Sequence, residues 1–371
     1  MKCRVCKSSL KLLLKYDNMP KAAQNFPRRE DLETEKGEDL SVSQCTSCGL
    51  IQLENKPVSY YKEVIRAAAF SEEMQDFRVN QFEKFVDKHS LHGKKVVEIG
   101  CGKGEFLSLM KKAGVDAYGI EYSDESVDYC RKNDLKVEKL YLEGEDDKIS
   151  GHPFDCFFIM NFFEHLQDPN ATLKSLYNNL SDSGVGLIEV PNFDMILRND
   201  LFSEFINDHL FYFTKETLTR VLELNGFEII ECKEVWYDYI ISATVRKRAC
   251  INLQNFKNQQ LKIKNDLKEY IKNYKKVAVY GAGHQALAVL SLAEISNDIV
   301  YVVDDAIFKQ EKYTPATHIP IVSNENLNFD PVDAIIVMAA SYSDEVAKKL
   351  KNRIDIISDI AILRDSGLEK L

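Results

Sequence analysis

The stretch Lys94–Glu105, KKVVEIGCGKGE, constrains this chain more than any other. An apolar run of Val96, Val97 and Ile99, with Glu98 set into it, leads to glycines at 100, 102 and 104. Phe106 to Lys112 then read as the start of an amphipathic helix. Strand, tight glycine turn and helix N-terminus follow one another with no room for another arrangement.

Such a turn selects its ligand. Glycines permit positive φ and let a ligand lie on the backbone, while the free N–H groups of the next helix favour an electron-rich group. The same turn serves many α/β proteins, so on its own it names no ligand. A second apolar strand, Ala117 to Ile120, ends at Glu121, where a carboxylate can take both hydroxyls of a ribose. Glu98 opens the turn and can accept from an ammonium group. A ligand with an ammonium and a ribose but no phosphate fits this pair better than a dinucleotide, and S-adenosylmethionine (SAM) is such a ligand.

Further along, strands are expected at 95–99, 116–120, 136–139, 155–160 and 184–190, alternating with helices at 104–113, 124–132 and 169–180. This is the pattern of a parallel sheet covered by helices, whose ligands sit at the carboxyl ends of strands near the reversal of strand order. EIGCGKG resembles the first motif of class I SAM-dependent methyltransferases, and FDCFFIMNFFEHLQDPN (Phe154 to Asn170) resembles their fourth-strand motif. The resemblance covers roughly residues 94–232. It implies SAM contacts from Glu98, Gly100, Cys101, Gly102, Gly104, Glu121, Tyr122 and Asn161, with His165 near the methionine moiety. Phe162, Asn192 and Tyr61 fall on the acceptor side. Cys101 also reads as a small residue that fits the turn, His165 as a structural residue, and Tyr60 and Tyr61 as packing before the core.

With 371 residues the chain has length for two or three domains, and 45% hydrophobic with 29% charged residues is ordinary globular composition. A net charge of −10 argues against a nucleic-acid backbone as the main partner. No apolar run is long enough to span a bilayer, and MKCRVCKSSLKLLLK has too short an apolar core for a signal peptide. These readings predict a cytoplasmic protein with mostly reduced cysteines, acting on a small molecule, as monomer or homodimer.

Four of the nine cysteines form Cys3-x2-Cys6 and Cys45-x2-Cys48. Two such knuckles complete a four-thiolate site for structural Zn²⁺, with no position open for catalysis. The charged segment between them is a poor core former, which suits a small module folded around a metal over residues 1–56.

After Pro191 comes a second informative stretch, VPNFDMILRNDLFSEFINDHLFYF, which sets Asp208 and His209 among aromatic residues. Such surroundings can hold an imidazole neutral at pH 7 and fit it for proton abstraction, although a lone histidine there is more often packed core. Taken with YVVDDAIFKQEKYTPATHIPIVS in the C-terminal half, the chain from Cys3 to about Leu350 resembles the three-domain C-methyltransferases of nucleotide-linked keto-deoxysugars. The resemblance implies Asp208–His209 as the catalytic pair, with His209 deprotonating a carbon beside a ketone. Two positions depart from that family: Ile206 stands where it has a tyrosine, and Ile65-Arg66-Ala67-Ala68 is the nearest match to its tyrosine-containing lead-in. O-methylation of a sugar or related metabolite is therefore the alternative, since it needs a base but no enolate stabilisation.

Residues 57–245 are assigned to the methyltransferase core and 246–371 to a second Rossmann-like domain, entered through a charged helical linker over 246–276. VAVYGAGHQALAVL repeats the strand, glycine turn and helix, and Asp304 and Asp305 end the next strand. By spacing this is a variant dinucleotide fingerprint, which leaves an NAD-dependent oxidoreductase, or a ligand-binding module without catalysis, as readings of other classes. The resemblance instead implies that Gly281, His284, Gln285 and Lys309, with the segment Pro315 to Pro320, bind the nucleotide-linked acceptor.

Overall fold

The computed structural model describes residues 1–24, 26–62, 71–352 and 357–371. They form two compact units, Met1–Ala249 and Cys250–Leu371.

The first unit begins with a four-stranded antiparallel sheet of β1 (Leu10–Met19), β2 (Glu38–Cys45), β3 (Ile51–Leu53) and β9 (Phe211–Tyr212), in that spatial order. The segment expected to lack a core thus holds a hairpin. Alternate residues Leu40 and Val42 of β2 are buried with Ile51 and Leu53 against Phe193, Ile196, Phe205 and Tyr212. Because β9 belongs to the segment after Pro191, this sheet is covered by the same residues that carry Asp208 and His209.

The helix α1 (Glu72–Lys88) starts at Ser71, whose side chain accepts from the Met74 N–H. The alternation expected from the sequence follows: β4 (Lys95–Ile99), α2 (Glu105–Lys112), β5 (Asp116–Glu121), α3 (Asp124–Lys132), β6 (Lys136–Lys139), β7 (Phe154–Met160), α4 (Pro169–Asn179) and β8 (Leu180–Pro191). After α5 (Phe193–Arg198) and α6 (Lys215–Leu224), β10 (Phe227–Val235) and β11 (Ile240–Lys247) form an antiparallel pair that the alternating pattern did not reveal. The sheet order is β10-β11-β8-β7-β4-β5-β6, parallel from β8 to β6 and antiparallel where β11 meets β8. Strand order reverses between β4 and β7, so the carboxyl ends of these two strands flank the natural ligand crevice. This is the class I methyltransferase fold.

A buried ion pair fastens α1 to this sheet. Arg78, 1% exposed, pairs with the fully buried Glu189 of β8, and Gln81 donates to the other carboxylate oxygen. The guanidinium carbon lies 5.1 Å from the centre of the Phe106 ring on α2.

The second unit is a seven-stranded sheet with a long helix, α7 (Gln254–Ile271), in place of the expected 246–276. Its strands are β12 (Val277–Tyr280), β13 (Ile299–Val303), β14 (Lys312–Tyr313), β15 (Pro320–Val322), β16 (Val332–Val337), β17 (Ile357–Arg364) and β18 (Gly367–Lys370). They lie in the order β14-β15-β13-β12-β16-β17-β18, with α8 (His284–Leu292), α9 (Asn326–Phe329) and α10 (Ser343–Lys351) between them. The four central pairings are parallel and both edge strands antiparallel. A second Rossmann-like sheet is therefore present, as the repeated glycine turn predicts.

Removing one partner of a buried ion pair strands the other charge. Arg78→Ala is expected to cost about 3–5 kcal/mol, read as a lower urea midpoint, whereas Arg78→Met with Glu189→Leu recovers most of that loss. A single variant as stable as the parent contradicts the assignment.

Candidate active site

The three glycines after β4 all have positive φ, +66° at Gly100, +57° at Gly102 and +81° at Gly104. Gly104 begins α2 without a side-chain cap, which leaves the first helical N–H groups facing the turn. A Cβ at Gly100 would lie 2.7 Å from the Phe162 ring, so this glycine is needed for close approach as well as for its dihedral angle. Cys101 is fully buried, its sulfur under the backbone of Gly119, and fits as a small residue.

Glu121 holds the turn from the next strand. One carboxylate oxygen accepts from the Gly102 N–H at 3.0 Å, and the other accepts from Tyr122 and Ser123 N–H, each at 2.9 Å. The residue expected to take ribose hydroxyls thus also fixes the shape of the loop. Glu98 is fully buried beneath the same turn.

A narrow cleft opens here, lined by Ile99, Gly100, Ile120, Glu121, Tyr122, Leu140, Tyr141, Leu142, Phe162, Leu166, Thr172 and Lys62. The expected residues Gly100, Glu121, Tyr122 and Phe162 therefore share one cavity. Glu98, Cys101, Gly102, Gly104, Asn161 and His165 are not among the residues that line it. Lys62 escaped the sequence reading. The Lys62 ammonium lies 5.1 Å from the Tyr122 ring centre, 5.3 Å from Tyr141 and 5.7 Å from Tyr61, and pairs with Glu143. Only the tyrosines on both sides of the first motif hinted at this cage.

Beyond Phe162 the chain makes one helical turn, Phe163–His165, and Leu210 N–H donates to the Glu164 carbonyl at 2.9 Å. That bond brings the two expected imidazoles together, with His165 and His209 ring centres 4.7 Å apart. His165 Nδ1 is 2.7 Å from the Asp208 carbonyl oxygen. Burial and then the neighbouring His165 push the His209 pKa well below the usual histidine value, while burial also lowers that of His165.

Asp208 does not touch the His209 ring. Its carboxylate accepts from Tyr60 Oη at 2.6 Å and from the Ala23 N–H at 2.9 Å. Burial and the Asp208 carboxylate push the Tyr60 phenol up to about 12. The structure thus supplies a phenol near the pair, from Tyr60 rather than position 206. Asn161 has φ of +50° and donates its N–H to the Glu189 carbonyl. Asn192 is fully buried and caps α5, accepting from Asp194 N–H and donating to the Asp238 carbonyl, so it presents no free group to an acceptor. The Ile65-Arg66-Ala67-Ala68 lead-in lies outside the described residues.

Two family models match this chain, a methyltransferase domain over residues 69–232 and a C-methyltransferase C-terminal domain over 246–359. C-methyltransferase NovU of Streptomyces niveus is 22% identical over 93% of this chain and 90% of its own length. A ubiquinone biosynthesis O-methyltransferase of Methylococcus capsulatus is 36% identical, but over only 25% of this chain and 41% of that relative. A SAM-dependent methyltransferase structure from Clostridium acetobutylicum aligns with 51% of this chain and 96% of its own, at 13% identity and a TM-score of 0.40. The chain is a methyltransferase.

In the second unit of the methyltransferase, Gly281 has φ of +110°, and a Cβ there would meet the Met338 carbonyl oxygen at 2.7 Å. Asp304 accepts from the Ala282 N–H at 2.8 Å and from Lys309 Nζ at 2.9 Å. Lys309 is therefore ion-paired, and the carboxylate that a dinucleotide reading assigns to ribose is engaged with the turn. His284 and Gln285 stand exposed at the start of α8.

The methyltransferase also gathers Cys3, Cys6, Cys45 and Cys48, whose sulfurs lie within 4.8 Å of one another. Cys3 and Cys48 sulfurs are 3.7 Å apart and those of Cys6 and Cys45 3.3 Å, near the ~3.8 Å edge of a tetrahedron with ~2.3 Å metal–sulfur bonds. Asn170 and Arg220 of the core donate to the carbonyls of Val5 and Cys48, anchoring both knuckles. Among the described residues no helix is long and apolar enough to cross a membrane.

The lowered histidines set a pH dependence. His89, His165 and His209 bind protons less readily folded than unfolded, so their stability contribution is present above pH ~6.5 and is lost as pH falls towards their folded values. The slope should reach at most ~1.4 kcal/mol per pH unit per histidine. Urea unfolding between pH 7.5 and 5 checks it, and His209→Gln should flatten the curve; identical slopes in both proteins contradict the burial argument.

Proposed function

We propose that this methyltransferase transfers a methyl group from SAM to a carbon beside the ketone of a nucleotide-linked deoxysugar. The observation that carries the reading is the part-buried His209, its pKa lowered by burial, packed on His165, whose ring lies 6.4 Å from that of Phe162 in the cleft wall. The C-methyltransferase match over 246–359 and the similarity to NovU along nearly the whole chain support carbon as acceptor. The O-methyltransferase similarity is confined to a quarter of the chain and bears on the core alone.

In this reading Glu98, Glu121, Tyr122 and the glycine turn hold the donor, which supplies an electrophilic methyl group. With the donor bound, His209 would take the proton from the acceptor carbon, the electron pair of that C–H bond would form the new C–C bond, and the pair of the broken S–C bond would stay on sulfur as a neutral thioether. The imidazolium then returns its proton to solvent. Asp208 fixes Tyr60 by accepting its one phenolic hydrogen, so the phenol would donate to charge developing on the ketone oxygen only after turning away from that carboxylate. Tyr61 and Phe162 form apolar acceptor contacts. The turn at Gly281, with His284 and Gln285, binds a nucleotide, and Lys309 acts there only once freed from Asp304. Residues 1–56 form a module around one structural zinc held by Cys3, Cys6, Cys45 and Cys48.

Two measurements test this reading. His209→Ala should keep SAM affinity within about threefold while transfer to a nucleotide-linked ketosugar falls by ~100-fold or more. Wild-type protein should also exchange the acceptor proton beside the ketone with solvent deuterium. Transfer surviving in the variant would remove His209 as base, and product methylated on oxygen would move the acceptor. For the metal, elemental analysis of undenatured protein should find one zinc per chain, lost on Cys45→Ser; protein free of metal sinks that assignment.

A further inference from the structure

The mechanism leaves Glu164 without a task, although it is 2% exposed and adjoins both imidazoles. Glu164, His165 and His209 each direct one ligand atom into a common space, with these atoms within 4.8 Å of one another. The bond from Leu210 N–H to the Glu164 carbonyl locks the two contributing segments together.

Tautomer decides what these atoms are. A carbonyl oxygen only accepts, so His165 Nδ1, 2.7 Å from the Asp208 carbonyl, carries the hydrogen. Neutral His165 therefore turns the lone pair of Nε2 towards Glu164 Oε1, 3.7 Å away. A backbone carbonyl holding one ring N–H while the other nitrogen points into a donor cluster is how proteins orient metal-ligating histidines.

We propose that Glu164, His165 and His209 form a second metal site, for a divalent transition cation of the Zn²⁺ or Co²⁺ kind. Two imidazoles and one carboxylate suit such ions, whereas Mg²⁺ and Ca²⁺ call for oxygen-rich shells. With bonds of ~2.1 Å the ligand atoms of a tetrahedral ion stand ~3.4 Å apart, a closure that small side-chain rotations provide. Three protein ligands leave a coordination position open. The consequence rests on reading His209 as the base: a bound cation takes its lone pair, so free Zn²⁺ switches methyl transfer off. The site itself does not depend on that reading.

The test uses the full chain with its cysteine site already metal-loaded, titrated with Co²⁺. The expected result is one further cobalt per chain, with the visible d–d bands of a nitrogen and oxygen shell and no sulfur-to-cobalt charge transfer. Glu164→Gln and His209→Gln should each weaken that cobalt by about tenfold or more, with SAM binding confirming that each variant is folded. A wild-type chain showing no such bands, or variants that bind the cobalt as tightly as wild type, overturns the proposal. A shared proton in place of the metal would appear as the first of these. Free Zn²⁺ should inhibit transfer by the wild type and much less by Glu164→Gln. Turnover surviving in His209→Ala would instead sink the base and leave the metal site standing.

Discussion

A carboxylate at the end of a second strand, tied to the glycine turn after the first, is the constraint on which both sheets depend. In the core, Glu121 accepts from Gly102; in the second unit, Asp304 accepts from Ala282. A glycine turn pays a high entropic cost for its order, and a loop that must offer bare N–H groups to a ligand cannot satisfy them within itself. An acidic residue on the neighbouring strand solves both problems, because parallel pairing carries its side chain to the same sheet end. The device leaves lone pairs over, since a carboxylate can accept about four bonds. Glu121 uses three of them on backbone, so it fixes the shape of the loop and keeps one accepting position to spare.

The second unit shows how little the motif alone decides. Its acidic residue also accepts three bonds, but one comes from the Lys309 ammonium beside the Ala282 and Ala306 N–H groups, whereas the three on Glu121 come from backbone. The same strand, turn and acid therefore present different surfaces: an open apolar cleft below Tyr122 in one case, and a neutralised carboxylate in the other. Spacing gives the backbone, and the side chains around the acid decide which ligand can use it.

What was legible in the sequence follows from this difference. Strands and helices from Lys95 to Pro191 were readable because buried parallel strands are continuous apolar runs, bounded here by glycine, aspartate and serine. The pair β10 and β11 was not, since β10 is half-buried along most of its length and its polar residues mask any alternation. The hairpin of β1 and β2 was missed for a related reason: Leu40 and Val42 are its only buried apolar positions before Cys45, and its partners lie some 150 residues further on. Arg78 was invisible because a basic residue in an amphipathic helix reads as solvated until its partner, Glu189, is placed beneath it. For the candidate site, chemistry alone singled out Asp208 and His209, and the structure adds that His209 packs on His165. The pairing of Tyr60 with Asp208 needed the fold, because a hydrogen bond across 148 positions leaves no local pattern.

Burial of the imidazoles links these observations to catalysis. The antiparallel N-terminal sheet continues into β9, immediately after His209, and its apolar face is covered by Phe205 and Tyr212. Whatever stabilises that sheet, including the anchoring of the cysteine knuckles by Asn170 and Arg220, also holds the segment Ile206 to Leu210 against Glu164. Desolvation in this position keeps His209 neutral at a pH where an exposed histidine would begin to protonate. Ala23, in the N-terminal residues, supplies the N–H that fixes Asp208 and, through it, the Tyr60 phenol.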